Sequence, residues 1–370
     1  MNITITKDQI QSGLQIVQSA VSSRSSLPIL SNVLLKAEGE LLELTASDLD
    51  VTITCFAKAI VKQPGSTTLP AKRLLQIVKE MPNRDLVLES DQDDKCKIEC
   101  GSIKFMIYGL SAADYPQLKT IKDDKKIKIK QEKFRELLRK TSFAASQEEG
   151  RHLLNSVYVE FGEHDVTMVA TDGRRLVLAQ EEVDVPENCR GGIIVPIRII
   201  NEISRIVNVK GEVEMTIFEN FVRFTMTEDD GLPKKLFSKL IEGTYPNYKQ
   251  VVPKESKYRI ELHREEFLSA LRRAEIVTSE RQSSVKLTFT ENLLTVSTNT
   301  PEVGDFSENV AVKFSGEDFA IAFNPTYLIE PLSVLTEDVV YFELTDHLSP
   351  GVLKVNGPFL YVVMPLRLQE

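Results

Sequence analysis

The chain has 370 residues and a formal net charge of −9, with 54 Asp and Glu against 45 Lys and Arg. That length suits two or three domains. No apolar run reaches the roughly 18 residues of a membrane-spanning helix, and the N-terminus carries no basic-then-apolar leader, so neither membrane insertion nor secretion is expected.

The first strand, Ile3-Thr4-Ile5, precedes an amphipathic helix expected over Asp8 to Val21. Alternating strands follow, and one of them ends in the bend Ala46-Ser47-Asp48-Leu49-Asp50. Leu69-Pro70-Ala71-Lys72 opens a second helix over 71–80, since Pro is sterically natural in a first helical turn. Tyr115-Pro116 closes this stretch, and the charged segment Leu118 to Lys126 reads as a short linker.

The same order then recurs. Ile127-Lys128-Ile129 precedes a helix over Glu132 to Phe143, whose Phe134, Leu137, Leu138 and Thr141 follow the i, i+3, i+4, i+7 rule. The bend returns as Ala170-Thr171-Asp172-Gly173, 124 residues after the first. Val195-Pro196-Ile197-Arg198 opens the next helix, and Tyr245-Pro246 closes the stretch. A second linker, Val251 to Ser256, carries Pro253.

A third round begins with Tyr258-Arg259-Ile260 and a helix over Glu265 to Val277, striped by Phe267, Leu268, Leu271 and Ala274. The bend reappears in weaker form as Ser297-Thr298-Asn299-Thr300, 127 residues after the second. Phe323-Asn324-Pro325-Thr326 opens the last helix. Repetition at this period implies three similar units in series, each with two helices and about eight strands. Neither linker is long or rich in Gly and Ser, so the units are expected in fixed positions, with β-structure continuing from one to the next.

Charge is unevenly spread. Segment 71–80 is net +2 (Lys72, Arg73, Lys79, Glu80), and segment 131–140 is also +2 (Lys133, Arg135, Arg139, Lys140, Glu132, Glu136). Segment 197–207 is +1 (Arg198, Arg205, Glu202). Basic helices on an acidic chain fit a phosphate-facing surface; solvated faces with i, i+4 pairing are the plainer alternative.

No Gly-rich phosphate loop, His-Glu-x-x-His helix or Gly-x-Ser-x-Gly elbow occurs. Cys96 and Cys100 could form half a metal site, but no second Cys/His pair has matching spacing, so Cys55, Cys96, Cys100 and Cys189 are expected to be reduced strand residues. That cysteine usage places the chain in the cytoplasm. An enzymatic reading would rest on Asp48, Asp50 and Asp172 as acid–base or Mg²⁺ groups. The alternative is that a bend Asp accepts hydrogen bonds from its own turn. A monomeric β-rich adaptor is a third class.

Leu27-Pro28-Ile29-Leu30-Ser31-Asn32, the bend 170–176, Tyr245-Pro246-Asn247-Tyr248 and the ending Tyr361 to Leu368 together resemble the bacterial sliding-clamp family, the β subunit of DNA polymerase III, over the whole chain. The resemblance implies an α+β fold of three clamp domains (1–122, 123–253, 254–370), each with two helices packed on antiparallel sheets. It implies a head-to-tail dimeric ring, a homodimer with helices lining the hole. The implied function is non-catalytic: the ring encircles double-stranded DNA without reading sequence and tethers the polymerase for processive replication. No cofactor and no metal are implied. Arg24, Gln147 and Arg151 match the family's DNA-contacting loops. Lys72, Arg73, Arg139, Lys140, Arg198 and Arg205 are added from helix charge alone.

A pocket for a short hydrophobic peptide of the polymerase catalytic subunit, clamp loader, repair polymerases and mismatch-repair proteins is also implied. Its matching positions are Leu154, Thr171, Gly173, Arg174, Arg175, Leu176, Pro246, Val251, Asn324, Tyr327, Val362, Met364, Pro365, Leu366 and Arg367. Arg174 stands where His is common, Gln250 where a basic residue is frequent, and Leu366 for a usual Met; Gln369-Glu370 extend past the usual end. For the dimer contact the resemblance suggests Phe105 and Ile107 against Ile276 and Val277, with Lys97 and Lys104 facing Glu302, Asp305 or Glu308.

Overall fold

The computed structural model describes residues 1–22, 27–116, 125–148, 150–227, 231–279, 283–301 and 303–367. Arg24, Glu302 and Gln369-Glu370 lie outside the described residues. Six α-helices occur among the described residues, and every strand pairing there is antiparallel. The chain groups into two compact units. The first takes Met1–Arg135, Pro186–Cys189 and Asn201–Leu240; the second takes Glu136–Val185, Arg190–Ile200 and Ile241–Glu370. The central repeat therefore contributes to both.

In the first unit, helix α1 (Lys7–Val17) starts where the Thr6 side chain accepts a hydrogen bond from the Gln9 amide at 3.3 Å, which satisfies one orphan donor of the first turn. It ends in a 3₁₀ turn, Gln18–Ala20, short of the expected Val21. Its buried stripe is Ile10, Gly13, Leu14 and Val17. A Cβ on Gly13 would stand 3.0 Å from Leu44 Cδ1, so the missing side chain lets the helix lie close on strand Leu41–Ser47. Helix α2 (Ala71–Glu80) buries Leu74, Leu75, Ile77 and Val78 and turns Lys72, Arg73 and Lys79 to solvent.

Two sheets complete this unit. One has five strands in the order Ile60–Gln63, Asn2–Thr6, Asp85–Ser90, Lys95–Cys100 and Ile103–Tyr108. The other has eight, and it joins two repeats: Pro233–Lys239 of the second pairs with Val51–Lys58 of the first, Leu236 opposite Ile53. The expected continuity of β-structure is thus a main-chain ladder.

Helices α3 (Gln131–Thr141) and α4 (Ile197–Ile206) each begin in one unit and end in the other. Phe134, Leu137, Leu138 and Thr141 are all buried, as their spacing predicts.

The second unit repeats the plan. Its eight-stranded sheet joins Arg175–Glu182 to Phe359–Val363, with Leu176 opposite Val362. A four-stranded sheet runs in the order Gly304–Ala311, Leu293–Thr300, Val285–Thr290 and Phe319–Phe323. Helices α5 (Arg264–Ile276) and α6 (Pro325–Val334) pack together, and the stripe Phe267, Leu268, Leu271 and Ala274 is buried. Burial of each such Leu or Phe stabilises the fold by about 1.5–3 kcal/mol.

Two expectations need correcting. Only Pro325 occupies the first helical turn, after an Asn324 side chain that accepts from the Thr326 amide at 3.0 Å. Pro70 and Pro196 instead end the preceding strands and stand just before α2 and α4. The third bend is also displaced. Asn299 lies inside strand Leu293–Thr300, opposite Asp305, and the chain reverses only between Thr300 and Gly304.

Candidate functional site

The bend at 171–175 joins two strands of the second unit and is built from its own side chains. Asp172 Oδ1 accepts from the amides of Arg174 at 2.8 Å and Arg175 at 3.0 Å. The Thr171 hydroxyl donates to the Arg175 carbonyl at 2.6 Å and accepts from the Gly173 amide at 3.1 Å. Gly173 has φ +88, a left-handed backbone that glycine adopts at little cost. The first bend is the same device: Asp48 Oδ1 accepts from Asp50 at 3.1 Å and Val51 at 2.8 Å, with Leu49 at φ 82. Both carboxylates are therefore committed to holding turns. Among the described residues no group of three or more His, Cys, Asp or Glu side chains is placed to hold a metal ion.

Beside the second bend is a cavity of about 210 Å³. Leu154, Thr171, Gly173, Arg174, Arg175, Leu176, Pro246, Val251, Val362 and Met364 line it, all named from the sequence. Tyr248 lines it too and was missed as a wall residue, although it closes the Tyr-Pro-Asn-Tyr signature. Leu176 and Val362 are at once core and floor: both belong to a buried cluster with Val169, Ile194, Tyr245, Tyr248 and Val352. The rim is open, with Val251 46% and Met364 43% exposed. Apolar walls with few polar groups suit an apolar side chain delivered on an extended backbone.

Tyr248 is fixed by its hydroxyl, which donates to Glu160, and by the neighbouring Tyr158 ring. Burial, together with the Glu160 carboxylate, pushes the Tyr248 phenol well above its ordinary pKa. Its ring is therefore a neutral wall at any physiological pH.

Asn324, Tyr327, Pro365, Leu366 and Arg367 are not wall residues of this cavity. They lie on the adjoining surface of the second unit. The Met364 amide donates to the Arg174 carbonyl at 2.9 Å, and the Leu366 amide donates to the Ala322 carbonyl at 2.7 Å. The chain end is thereby tied first to the bend and then to strand Phe319–Phe323. Asn324 is occupied in capping α6, and Tyr327 stands under Arg175.

Arg175 is the most committed cation here. It is 8% exposed and pairs with Asp172 at 3.1 Å and with Glu330, and its Nη2 donates to the Phe143 carbonyl at 2.9 Å. Arg174, next in the chain, is exposed.

The expected DNA-facing cations divide into classes. Lys72 and Arg73 are exposed on α2 and make no ion pair among the described residues. Arg198 and Arg205 are exposed on α4, and Arg205 pairs with Glu202 at 3.0 Å. Arg139 and Lys140 are half-buried. Arg139 pairs with Glu136 at 2.7 Å, and Lys140 reaches Glu337 at 3.4 Å, so both are partly neutralised within the fold. Gln147 is exposed. Arg151 pairs with Glu148 at 2.8 Å and also donates to the Asp172 carbonyl at 3.3 Å.

Of the expected interface residues, Phe105 is 42% and Ile276 77% exposed, and Val277 is half-buried. Ile107 differs: it lies on the same strand face as Phe105 but is only 5% exposed, so its side chain is packed within the fold while Phe105 is left open. Lys97 and Lys104 both pair with Glu99, at 3.0 and 3.2 Å. Glu308 is held by Arg273 at 2.6 Å. All four cysteines are free and buried.

The chain matches the family models of the DNA polymerase III beta subunit over nearly all of its length: the N-terminal domain at residues 1–119, the central domain at 128–247 and the C-terminal domain at 249–367. It is 31% identical to the beta sliding clamp of Chlamydia pneumoniae over 370 residues, all of both chains. It is 35% identical to that of Caulobacter vibrioides over 378 residues, covering 99% of this chain and 100% of the relative. The crystal structure of the Bacillus subtilis DNA polymerase sliding clamp superposes with a TM-score of 0.94 at 29% identity, each chain covered in full. Three clamp domains, six helices on antiparallel sheets and two homologous turns holding their own carboxylates converge on one conclusion: the chain belongs to the beta sliding clamp family of DNA polymerase III, non-catalytic processivity factors of replication.

Proposed function

We propose that two copies of this chain close head to tail into a ring around double-stranded DNA. The ring tethers the replicative polymerase, and through the same peptide pocket it takes the clamp loader, repair polymerases and mismatch-repair proteins. Domain boundaries fall near residues 122 and 253, and the ring works in the cytoplasm.

One observation carries the reading. At each internal junction the chain joins successive repeats by pairing a strand of one with a strand of the next, forming an eight-stranded sheet. The two remaining sheets end on Ile103–Tyr108 and Gly304–Ala311, both mostly exposed. Pairing these edges between copies would use different patches on each side, a heterologous contact that makes a two-membered ring when the rotation between copies is a half-turn. It would also cover two exposed strand edges.

A closed ring retains DNA by topology, so its contacts can be weak, non-specific and salt-sensitive. Tethering then acts by raising the local concentration of polymerase at the primer end. No residue transfers a proton or breaks a bond.

The test is hydrodynamic and then topological. Sedimentation is expected to give twice 41.7 kDa. After loading, the protein is expected to stay on nicked circular DNA and to run off the same DNA once linearised. A monomer at micromolar concentration, or equal retention on both forms, overturns the ring.

A further inference from the structure

Two arginines stand side by side at the pocket, and their surroundings differ. Arg175 is buried and fully used: Asp172, Glu330 and the Phe143 carbonyl take its donors, and the Tyr327 ring lies against it. Arg174 lines the cavity but is exposed, and no described carboxylate forms an ion pair with it. The nearest candidates are occupied. Asp172 holds the bend and Arg175, and Glu148 holds Arg151.

The position of Arg174 is nonetheless fixed. Its amide donates to Asp172 at 2.8 Å and its carbonyl accepts from Met364 at 2.9 Å. Its guanidinium is within hydrogen-bonding reach of the Tyr327 phenol, which further secures the charged form. The result is a permanent cation, anchored at its base, with donors open to solvent at the edge of an apolar cavity. A guanidinium in that state matches a carboxylate in charge and in fork geometry.

We propose that Arg174 is a specificity-determining residue that takes an aspartate or glutamate side chain flanking the apolar anchor of a docked peptide. The inference rests on the peptide-pocket reading above and deepens it. The apolar cavity supplies affinity, and the exposed cation chooses among peptides with the same anchors. Arg175 cannot share that role, because its donors are turned inward.

The experiment uses the full-length protein and N-acetylated, C-amidated peptides, which carry no terminal charge. Each peptide has one leucine anchor, with Asp or Asn placed in turn at each flanking position, and binding is read by competition fluorescence polarisation. At one position Asp is expected to bind about fivefold more tightly than Asn at low salt, a modest preference suited to an exposed charge pair. It should shrink as salt rises through about 0.5 M.

In Arg174→Ala the Asp and Asn peptides should bind alike, and Arg174→Lys should restore part of the preference. Both variants keep the main-chain bonds of the bend, and binding of the Asn peptides to each variant is the reference against which its Asp preference is read. Equal binding of every Asp and Asn pair to the unmodified protein overturns this inference alone, as does a preference that survives Arg174→Ala. Failure of every peptide to bind overturns the pocket reading, and this inference with it.

Discussion

The Arg175 guanidinium carbon lies 4.5 Å from the centroid of the Tyr327 ring, and the Tyr327 carbonyl accepts a hydrogen bond from the Tyr361 hydroxyl at 2.6 Å. Through Arg175 the bend at Asp172 is joined to α6, and through Tyr327 α6 is joined to strand Phe359–Val363. The strand and the bend between them carry Val362 and Gly173, two walls of the cavity. Arg175→Ala would leave Glu330 without its cation and remove the stacking of the guanidinium on the ring. Glu330 keeps 35% of its side chain exposed, so the loss falls below the ~3–5 kcal/mol of a fully buried pair. Thermal unfolding of this variant should therefore begin well below that of the parent, and peptide binding should fall with it. Unchanged unfolding would mean that Arg175 is dispensable to the junction.

Gly173→Ala isolates backbone strain from crowding. A Cβ there would meet only Arg151 Nη1, at 4.0 Å, so space is ample. The φ of +88 is the obstacle, at a cost of about 1–2 kcal/mol. The first bend tolerates Leu49 at φ 82, so the variant should fold. A urea midpoint lowered by no more than that amount is expected, and failure to fold would show that the bend needs more than a left-handed residue.

The helices were legible because their signal is local: four apolar residues at helical spacing predict a buried stripe whatever they pack on. The two Asp bends were legible for the same reason, since each Asp bonds amides two and three residues ahead. Less legible are the features whose deciding partner is remote in the chain. The helix charge that marks Lys140 carries no trace of its ion-pair partner Glu337, 197 residues away. Phe105 and Ile107 share one face of Ile103–Tyr108, so their different burial depends on what each packs against, which the strand's alternation does not reveal. Tyr248 was seen as part of a signature; its place in the wall depends on Glu160, 88 residues earlier.

Buried thiols give the fold an alkaline limit. Burial pushes Cys55 and Cys96 up to about 12, from an ordinary 9.0. Above pH 9 the unfolded chain releases thiol protons that the folded chain retains. The stabilisation is thus fully present below pH 9 and is lost as pH rises toward 12. Between pH 8 and pH 11 the parent should lose more stability than Cys55→Ala, by about 3 kcal/mol at most. Identical pH slopes in urea unfolding would remove Cys55 as a cause.

Exposed and neutralised cations should separate in DNA binding. Removing a cation that neutralises one phosphate lowers the slope of log affinity against log salt by about one. Lys72→Ala and Arg73→Ala should each show this shift without loss of stability, since both are exposed on α2. Lys140→Ala should change the slope little and mainly affect folding, because Glu136 and Glu337 already engage its ammonium. Equal slopes for all three variants would contradict this division.

The proposed ring can be tested by placing charge on exposed positions and by trimming a buried one of the same strand. Phe105→Asp sets a carboxylate on an exposed edge, and Ile276→Asp does so at the end of α5. If these edges meet in the dimer, each variant should sediment as a folded monomer. Ile107→Ala, by contrast, removes a buried side chain from the strand that carries Phe105 and should cost about 2–5 kcal/mol of fold stability. It should leave the dimer in place below its melting temperature. Two exposed substitutions that leave the dimer whole, with a buried one that dissociates it, would place the contact elsewhere, because only exposed residues can face a second copy without unfolding the first.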